Sequence, residues 1–268
     1  MSSLRLDDYK IAWICALALE AAAARAMLDK IHTPPESIVD PITDWGSYHF
    51  GEINGHNIVI ACLPVGEYGS RSVATASSRL RLTFPGLRFG LMVGIGGGAP
   101  SESNDIRLGD VVVSKPGGNY SGVIQYSYGK ANQGGRFEAT GSLNQPPQAL
   151  LTHIHRLETN LITSEDAISE IVEAVLVRNP RMEIAFSPPD HDEDFLFNSS
   201  YHHVDISSNC EKCDKEQLVK RPPRDVKTPV IHYGLIASGE RVMKDPKTRD
   251  RLAQEFGILC LRWKPQDL

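Results

Sequence analysis

Glu20, a glycine run at 94–98, a loop around Gly66 and a Cys-x-x-Cys pair at 210–213 are the parts of this 268-residue chain whose residue types and spacing suit chemistry. A carboxylate such as Glu20 can take a proton from water, but in a first helical turn it is also a favourable charge for the helix dipole. Gly94-Ile95-Gly96-Gly97-Gly98 lets the backbone come close to a ligand and adopt positive φ, so it could cradle a ribose or an anion. The same run also makes an ordinary tight turn after a strand. It is not a P-loop, because no Gly-Lys-Ser/Thr follows. Cys210-Glu-Lys-Cys213 has the spacing of half a zinc site, with His202 and His203 shortly before it. Without a clear second cysteine pair, Cys210 and Cys213 read first as free thiols and only secondarily as metal ligands, so no metal is expected.

These residues need elements to position them. An apolar run at Tyr9–Cys15 predicts a strand, and Ala16–Lys30, rich in Ala, Leu and Met, predicts a helix that would carry Glu20 near its start. Asn54-Gly55 between Gly46–Ile53 and His56–Leu63 predicts a β-hairpin. A loop from Pro64 to Ser70, holding Gly66, leads into a helix over Ser70–Leu82, and a buried strand over Phe89–Val93 enters the glycine run. Further strands are expected at Asp110–Ser114, Gly122–Tyr126 and Val230–Ala237. Helices are expected at Pro147–Glu158, Asp166–Val177 and Pro246–Phe256, the last with proline in its first turn. Strands and helices alternate, so the class is α/β, and ligands of open α/β sheets collect at the carboxyl ends of the strands. Asn179–Lys227 is rich in Pro, Asp, Glu, His and Lys with little apolar periodicity. It is read as a surface insertion, partly mobile, within a single domain spanning 1–268.

Composition narrows the partners. Hydrophobic residues make up 41% and charged residues 23%, and a formal net charge of −5 gives no electrostatic reason to expect nucleic acid. The apolar stretch Ile11–Leu19 is too short to span a bilayer, and no export signal opens the chain. Cys15, Cys62 and Cys260 lie in apolar strand-like runs, as buried thiols of a reducing compartment do, so an intracellular, cytoplasmic protein is expected. There is no Gly-x-Ser-x-Gly elbow, no His-Glu-x-x-His and no Gly-x-Gly-x-x-Gly opening a helix. A small molecule is the expected partner.

Taken together, Trp13-Ile14-Cys15-Ala16-Leu17 ending in Glu20, Val93 to Gly98, Leu108-Gly109-Asp110-Val111-Val112-Val113-Ser114 and Gly234-Leu235-Ile236-Ala237-Ser238-Gly239 resemble the purine/uridine phosphorylase and methylthioadenosine/S-adenosylhomocysteine (MTA/SAH) nucleosidase superfamily. The likeness runs from about Tyr9 to Cys260. It is strongest to the version of filamentous fungi, often the N-terminal domain of NACHT- or ankyrin-containing proteins, with its Cys-x-x-Cys insertion. The resemblance implies a three-layer α/β/α sandwich around a twisted mixed sheet, cleavage of the N-glycosidic bond of a purine nucleoside or nucleotide, and a homo-oligomer as one assembly open to it. It assigns Glu20 as the general base that activates water. Gly94, Gly96 and Gly97 would lie near the sugar, Val242 and Met243 would pack on the base, and Gly66 and Ser238 are further expected substrate-binding positions. No cofactor is implied, phosphate being the co-substrate if cleavage is phosphorolytic.

Three departures from the family pattern bear on mechanism. The phosphorylases have a Gly-Asp-x-x-Arg loop after the first strand and an arginine just before the Val-Gly, where this chain has Ala16-Leu17-Ala18-Leu19-Glu20 and Met92. Water attack is therefore expected over phosphorolysis, with Arg25 or Arg71 as the remaining cations for an anion. Family members also continue into Glu-Met-Glu-Ala-Ala-Gly-Leu, whose second glutamate binds the ribose, and later supply an aspartate that protonates the base. Here Arg262 and Lys264 take the two glutamate positions, and the chain stops at Leu268, before the last strand and helix. Trp263–Leu268 can be encoded TGG AAG CCG CAG GAC TTG, and the same bases behind an A read ATG GAA GCC GCA GGA CTT, Met-Glu-Ala-Ala-Gly-Leu. A frame slip near Leu261, giving a catalytically inactive remnant that binds nucleosides or a protein partner, is the alternative expectation. Transcript sequencing across that point tests it.

Overall fold

The computed structural model describes residues 4–38, 47–64, 70–126, 129–131, 137–139, 143–163, 167–186, 194–204, 210–224, 229–239 and 245–262. Contacts group the chain into two units. The first runs to Ile95, and the second runs from Gly96 to Arg262 apart from a short stretch after Ser238.

In the first unit, β1 (Ile11–Cys15) leads into α1 (Ala18–Ala26), and a two-residue β2 (Lys30–Ile31) follows. β3 (Ser47–Ile53) and β4 (His56–Cys62) form a hairpin, α2 covers Ser70–Thr83, and β5 is Phe89–Met92. The sheet order is β2-β3-β4-β1-β5. β1 runs parallel to both β4 and β5, while β3 is antiparallel to β4 and to β2, so the sheet is mixed. Ile53 pairs with His56, which leaves a two-residue loop with φ 48° at Asn54 and 77° at Gly55. Both central residues have positive φ, as a turn matched to strand twist requires.

The alternation of side chains along β1 and β4 sends apolar residues to both faces of this sheet. Ala12, Ile14, Val59 and Ala61 join Tyr9, Phe50, Leu80 and Phe84 on the α2 face, where Tyr9 meets Phe50 edge-on at 5.1 Å. Cys15, Ile58 and Ile60 join Ala21, Ala24 and Leu28 of the α1 segment on the other. Small alanines let α1 sit close to the strands. The first unit is thus itself helix, sheet, helix.

In the second unit, β6 (Gly97–Gly98), β7 (Val111–Ser114), β8 (Val123–Gln125), and the antiparallel pair β9 (Gly129–Ala131) and β10 (Phe137–Ala139) precede three helices: α3 (Gln148–Thr163), α4 (Ala167–Arg178) and the single-turn α5 (Glu183–Phe186). β11 (Ile231–Ser238), α6 (Pro246–Phe256) and β12 (Ile258–Arg262) complete it. β11 organises the sheet: β7 pairs with its first half, β8 with its second, and β12 runs parallel to it before pairing antiparallel with β6. Leu252 of α6 packs on Ile124, Leu235, Ala237, Ile258 and Leu261. Asp245 caps α6 by accepting from the Thr248 amide at 3.1 Å, and Gly257 closes it at φ 69°.

The α/β class expected from the sequence holds, but the strand expected to be buried over Phe89–Val93 is not: β5 stands at the sheet edge and Gly90–Val93 are exposed. α1 ends at Ala26 rather than Lys30, because Lys30 and Ile31 are drawn into β2 opposite Glu52 and Gly51. Among the described residues no helix is long and apolar enough to cross a membrane.

Candidate functional site

Glu20 occupies the third position of α1, and its carboxylate is fixed by three backbone amides. Oε2 accepts from Ala16 at 2.7 Å and Leu17 at 3.0 Å, and Oε1 accepts from Ile95 at 2.8 Å. Leu17, at the N-cap, offers no side-chain acceptor, so Glu20 itself satisfies the amides that a helix start leaves open. The third bond reaches across to the residues that follow β5. Glycine is required at 94 for this: a Cβ there would lie 2.7 Å from Glu20 Cδ. A carboxylate has about four acceptor positions. Among the described residues three amides donate to that of Glu20, two at Oε2 and one at Oε1.

In the second unit the carboxyl ends of three parallel strands come together. Ser238 pairs with Arg262 on one side and with Gln125 on the other, and its carbonyl accepts from Tyr126 at 3.1 Å. Gly97 pairs with Leu261, and a Cβ at Gly96 would come within 3.1 Å of the Leu261 carbonyl oxygen. Gly96, Gly97, Ser238 and Arg262 therefore share one rim of this sheet. Cys260, one residue back, is buried, and burial pushes its thiol up to about 11 against the lowering effect of Arg262. Gly66, Val242, Met243 and Lys264 lie outside the described residues. So does the side chain of Arg71, while Arg25 is exposed in the last turn of α1.

A polar hub that sequence reasoning missed lies in the second unit. Asp110, just before β7, has a side chain 1% exposed. It accepts from Arg224 at 2.7 and 3.1 Å, from the Val230 and Arg107 amides at 3.0 and 2.9 Å, and bonds His232 Nε2 at 2.9 Å. Burial acts to raise its pKa, and the bonds from Arg224, Val230, Arg107 and His232 overcome that and hold it below the usual carboxylate range. Arg107 pairs with Asp105 at 2.6 Å, and Arg221 with Asp194 at 2.7 Å. Arg221 and Arg224 tie the polar 179–227 segment to the residues before β7. A cavity of about 340 Å³ lies among Phe195, Leu218, Arg107, Arg221 and Arg224. None of the expected site residues lines it, and its three arginines are already engaged by acidic or carbonyl oxygens.

All five cysteines are thiols, with Cys15, Cys213 and Cys260 buried. Cys210 lies 3.5 Å from His203 Nε2.

No family model matches the chain. An NLR-like protein of Hyaloscypha variabilis is 43% identical over 266 residues, which is 99% of this chain but 26% of that protein, so the chain spans about a quarter of this curated relative's length. Among solved structures, the MTA/SAH nucleosidase of Neisseria meningitidis in complex with methylthio-immucillin-A superposes with a TM-score of 0.51 at 13% identity, covering 95% of this chain and 76% of that one. A Borrelia burgdorferi protein assigned as an MTA/SAH nucleosidase and bound to adenine gives 0.52 at 15% identity, covering 94% and 75%. With its alternating strands and helices and its mixed sheets, the chain shares the fold of these nucleosidase structures.

Proposed function

We propose that this domain cleaves the N-glycosidic bond of a purine nucleoside or nucleotide by attack of water, with Glu20 holding and deprotonating that water. The observation that carries the reading is the Glu20 carboxylate at the carboxyl end of β1, oriented by three backbone amides. A base fixed by neutral amides can direct one water, and positioning of that kind contributes much of the rate in such reactions. Support comes also from the fold shared with nucleosidase structures. No charged clamp for a phosphate nucleophile stands at Ala16–Leu19 or Met92, which favours hydrolysis over phosphorolysis.

The test is release of free base from adenosine, inosine, methylthioadenosine and ATP, with and without phosphate. Release independent of phosphate is expected, falling about 10²–10⁴-fold in Glu20→Gln. Release that requires phosphate, or that survives Glu20→Gln unchanged, overturns the reading.

A second reading is a binding module for a phosphate-bearing nucleotide. Arg262, paired beside Ser238, puts a cation where the resembled family has a glutamate, and a cation suits an anionic ligand. Saturable ATP binding without turnover, weakened in Arg262→Ala, is its signature.

A further inference from the structure

The 179–227 segment carries a set of donors that nucleoside chemistry does not use. One donor atom from each of His203, Cys210 and Cys213 lies within 4.8 Å of the others, and His203 Nε2 stands 3.5 Å from Cys210 Sγ. Zinc bound tetrahedrally, with Zn–S of about 2.3 Å and Zn–N of about 2.0–2.1 Å, separates sulfur from nitrogen by about 3.5 Å and sulfur from sulfur by about 3.8 Å. The Cys210–His203 separation matches the sulfur–nitrogen edge of such a tetrahedron, and the other two edges lie within 4.8 Å, about 1 Å above the bound sulfur–sulfur spacing at most. Two thiols and an imidazole are also soft enough to select zinc over magnesium or calcium.

The frame around these donors is already assembled. Cys213 is buried at 5% exposure, and its amide donates to the Cys210 carbonyl at 3.2 Å, closing the turn between them. The next residue, Asp214, donates its amide to Tyr201 Oη at 2.8 Å, and Phe197 stacks on Tyr201 at 5.3 Å. Asn198 donates to Gln217 at 2.9 Å and Val219 to Leu196 at 2.8 Å, so the stretches 194–204 and 210–224 are laced together beside the ligand set. Such lacing fixes the donors before any ion arrives, which lowers the entropic cost of binding.

We propose that His203, Cys210 and Cys213 bind one zinc ion as a structural clasp, with solvent supplying the fourth ligand. Binding converts both thiols to thiolates, and their two protons pass to solvent. The ion cross-links His203 to the Cys210–Cys213 turn, beside the contact of Phe197 with Tyr201.

The full chain, purified with a thiol reductant and no added metal, is analysed by elemental mass spectrometry. It is then stripped with a chelator and titrated with Zn²⁺, and with Co²⁺ as an absorbing probe. About one zinc per chain is expected. Thiolate-to-cobalt charge-transfer absorption is expected in the wild type, so the result stands even if a variant folds poorly. Cys210→Ser and Cys213→Ser lose the zinc, and His203→Ala binds it at least about tenfold more weakly, the scale that even an outer partner carries. Cys62→Ser keeps it. A folded, reduced chain that takes up neither ion, zinc retained in the double variant of Cys210 and Cys213, or a Cys210–Cys213 disulfide as the resting state overturns the proposal.

Discussion

Glu20 and Asp110 both gather several hydrogen bonds, yet they are held in opposite ways. Every donor to Glu20 is a backbone amide, supplied by a helix start and by the residues after β5. Asp110 takes two amides as well, but its other partners are the Arg224 guanidinium and the His232 ring. Amides bring no charge. A guanidinium neutralises the carboxylate and fills its remaining positions. The first arrangement suits a group that must still meet a water, and the second suits a group that joins distant segments.

The largest effect should come from removing the charge at Asp110. Asp110→Ala removes the 1%-exposed carboxylate that Arg224, His232 and two amides share, and breaking a largely buried pair in this way costs about 3–5 kcal/mol. Urea unfolding measures it, and a loss below about 1 kcal/mol would remove the distinction between the two carboxylates. Gly94→Ala comes next. Its methyl group must displace the Glu20 carboxylate or the loop, at about 1–3 kcal/mol, with base release falling alongside. Glu20→Gln is milder for stability. Its neutral donors lose one good acceptor, at about 0.5–2 kcal/mol, while activity drops far more. Should Glu20→Gln destabilise as much as Asp110→Asn, the contrast fails.

The smallest effect at neutral pH, and the sharpest discriminator in acid, is the pH dependence. The folded-state pKa of Asp110 is depressed. Its contribution is therefore complete above the unfolded carboxyl value of about 3.9 and is lost as pH falls through the lower, folded value. Amide protection factors in β7 and β11 should fall over that acid window, and Asp110→Asn should flatten the response. Wild-type protection unchanged through the same window would contradict the assignment.

Much of the frame was legible in local pattern. The hairpin at Asn54-Gly55, the strand entering the glycine run and the helix at Pro246–Phe256 follow from turn chemistry, apolar alternation and capping, all read within a dozen residues. Glu20 was legible as a helix-start carboxylate, but not its reach to Ile95, 75 residues away. β2 was missed because two exposed residues carry no periodicity, and only pairing with β3 makes them a strand. The Asp110 hub was missed for the same reason on a larger scale. Arg221 and Arg224 stand in a polar run that reads as solvated surface, and the partner that buries them is over a hundred residues earlier. The Cys210–Cys213 spacing was visible, whereas its third donor needed geometry to single out His203 from His202.

The link from Asp110 to His232 spans 122 residues of chain. During synthesis at roughly 5–20 residues per second, Asp110 leaves the ribosome about 6–24 s before its partner does. For that interval β7 has neither β11 to pair with nor a cation for the carboxylate beside it. The second unit is thus completed only once β11 has emerged, and a pause or a slow codon between those two points lengthens the time that an unpaired strand edge is open to the wrong neighbour.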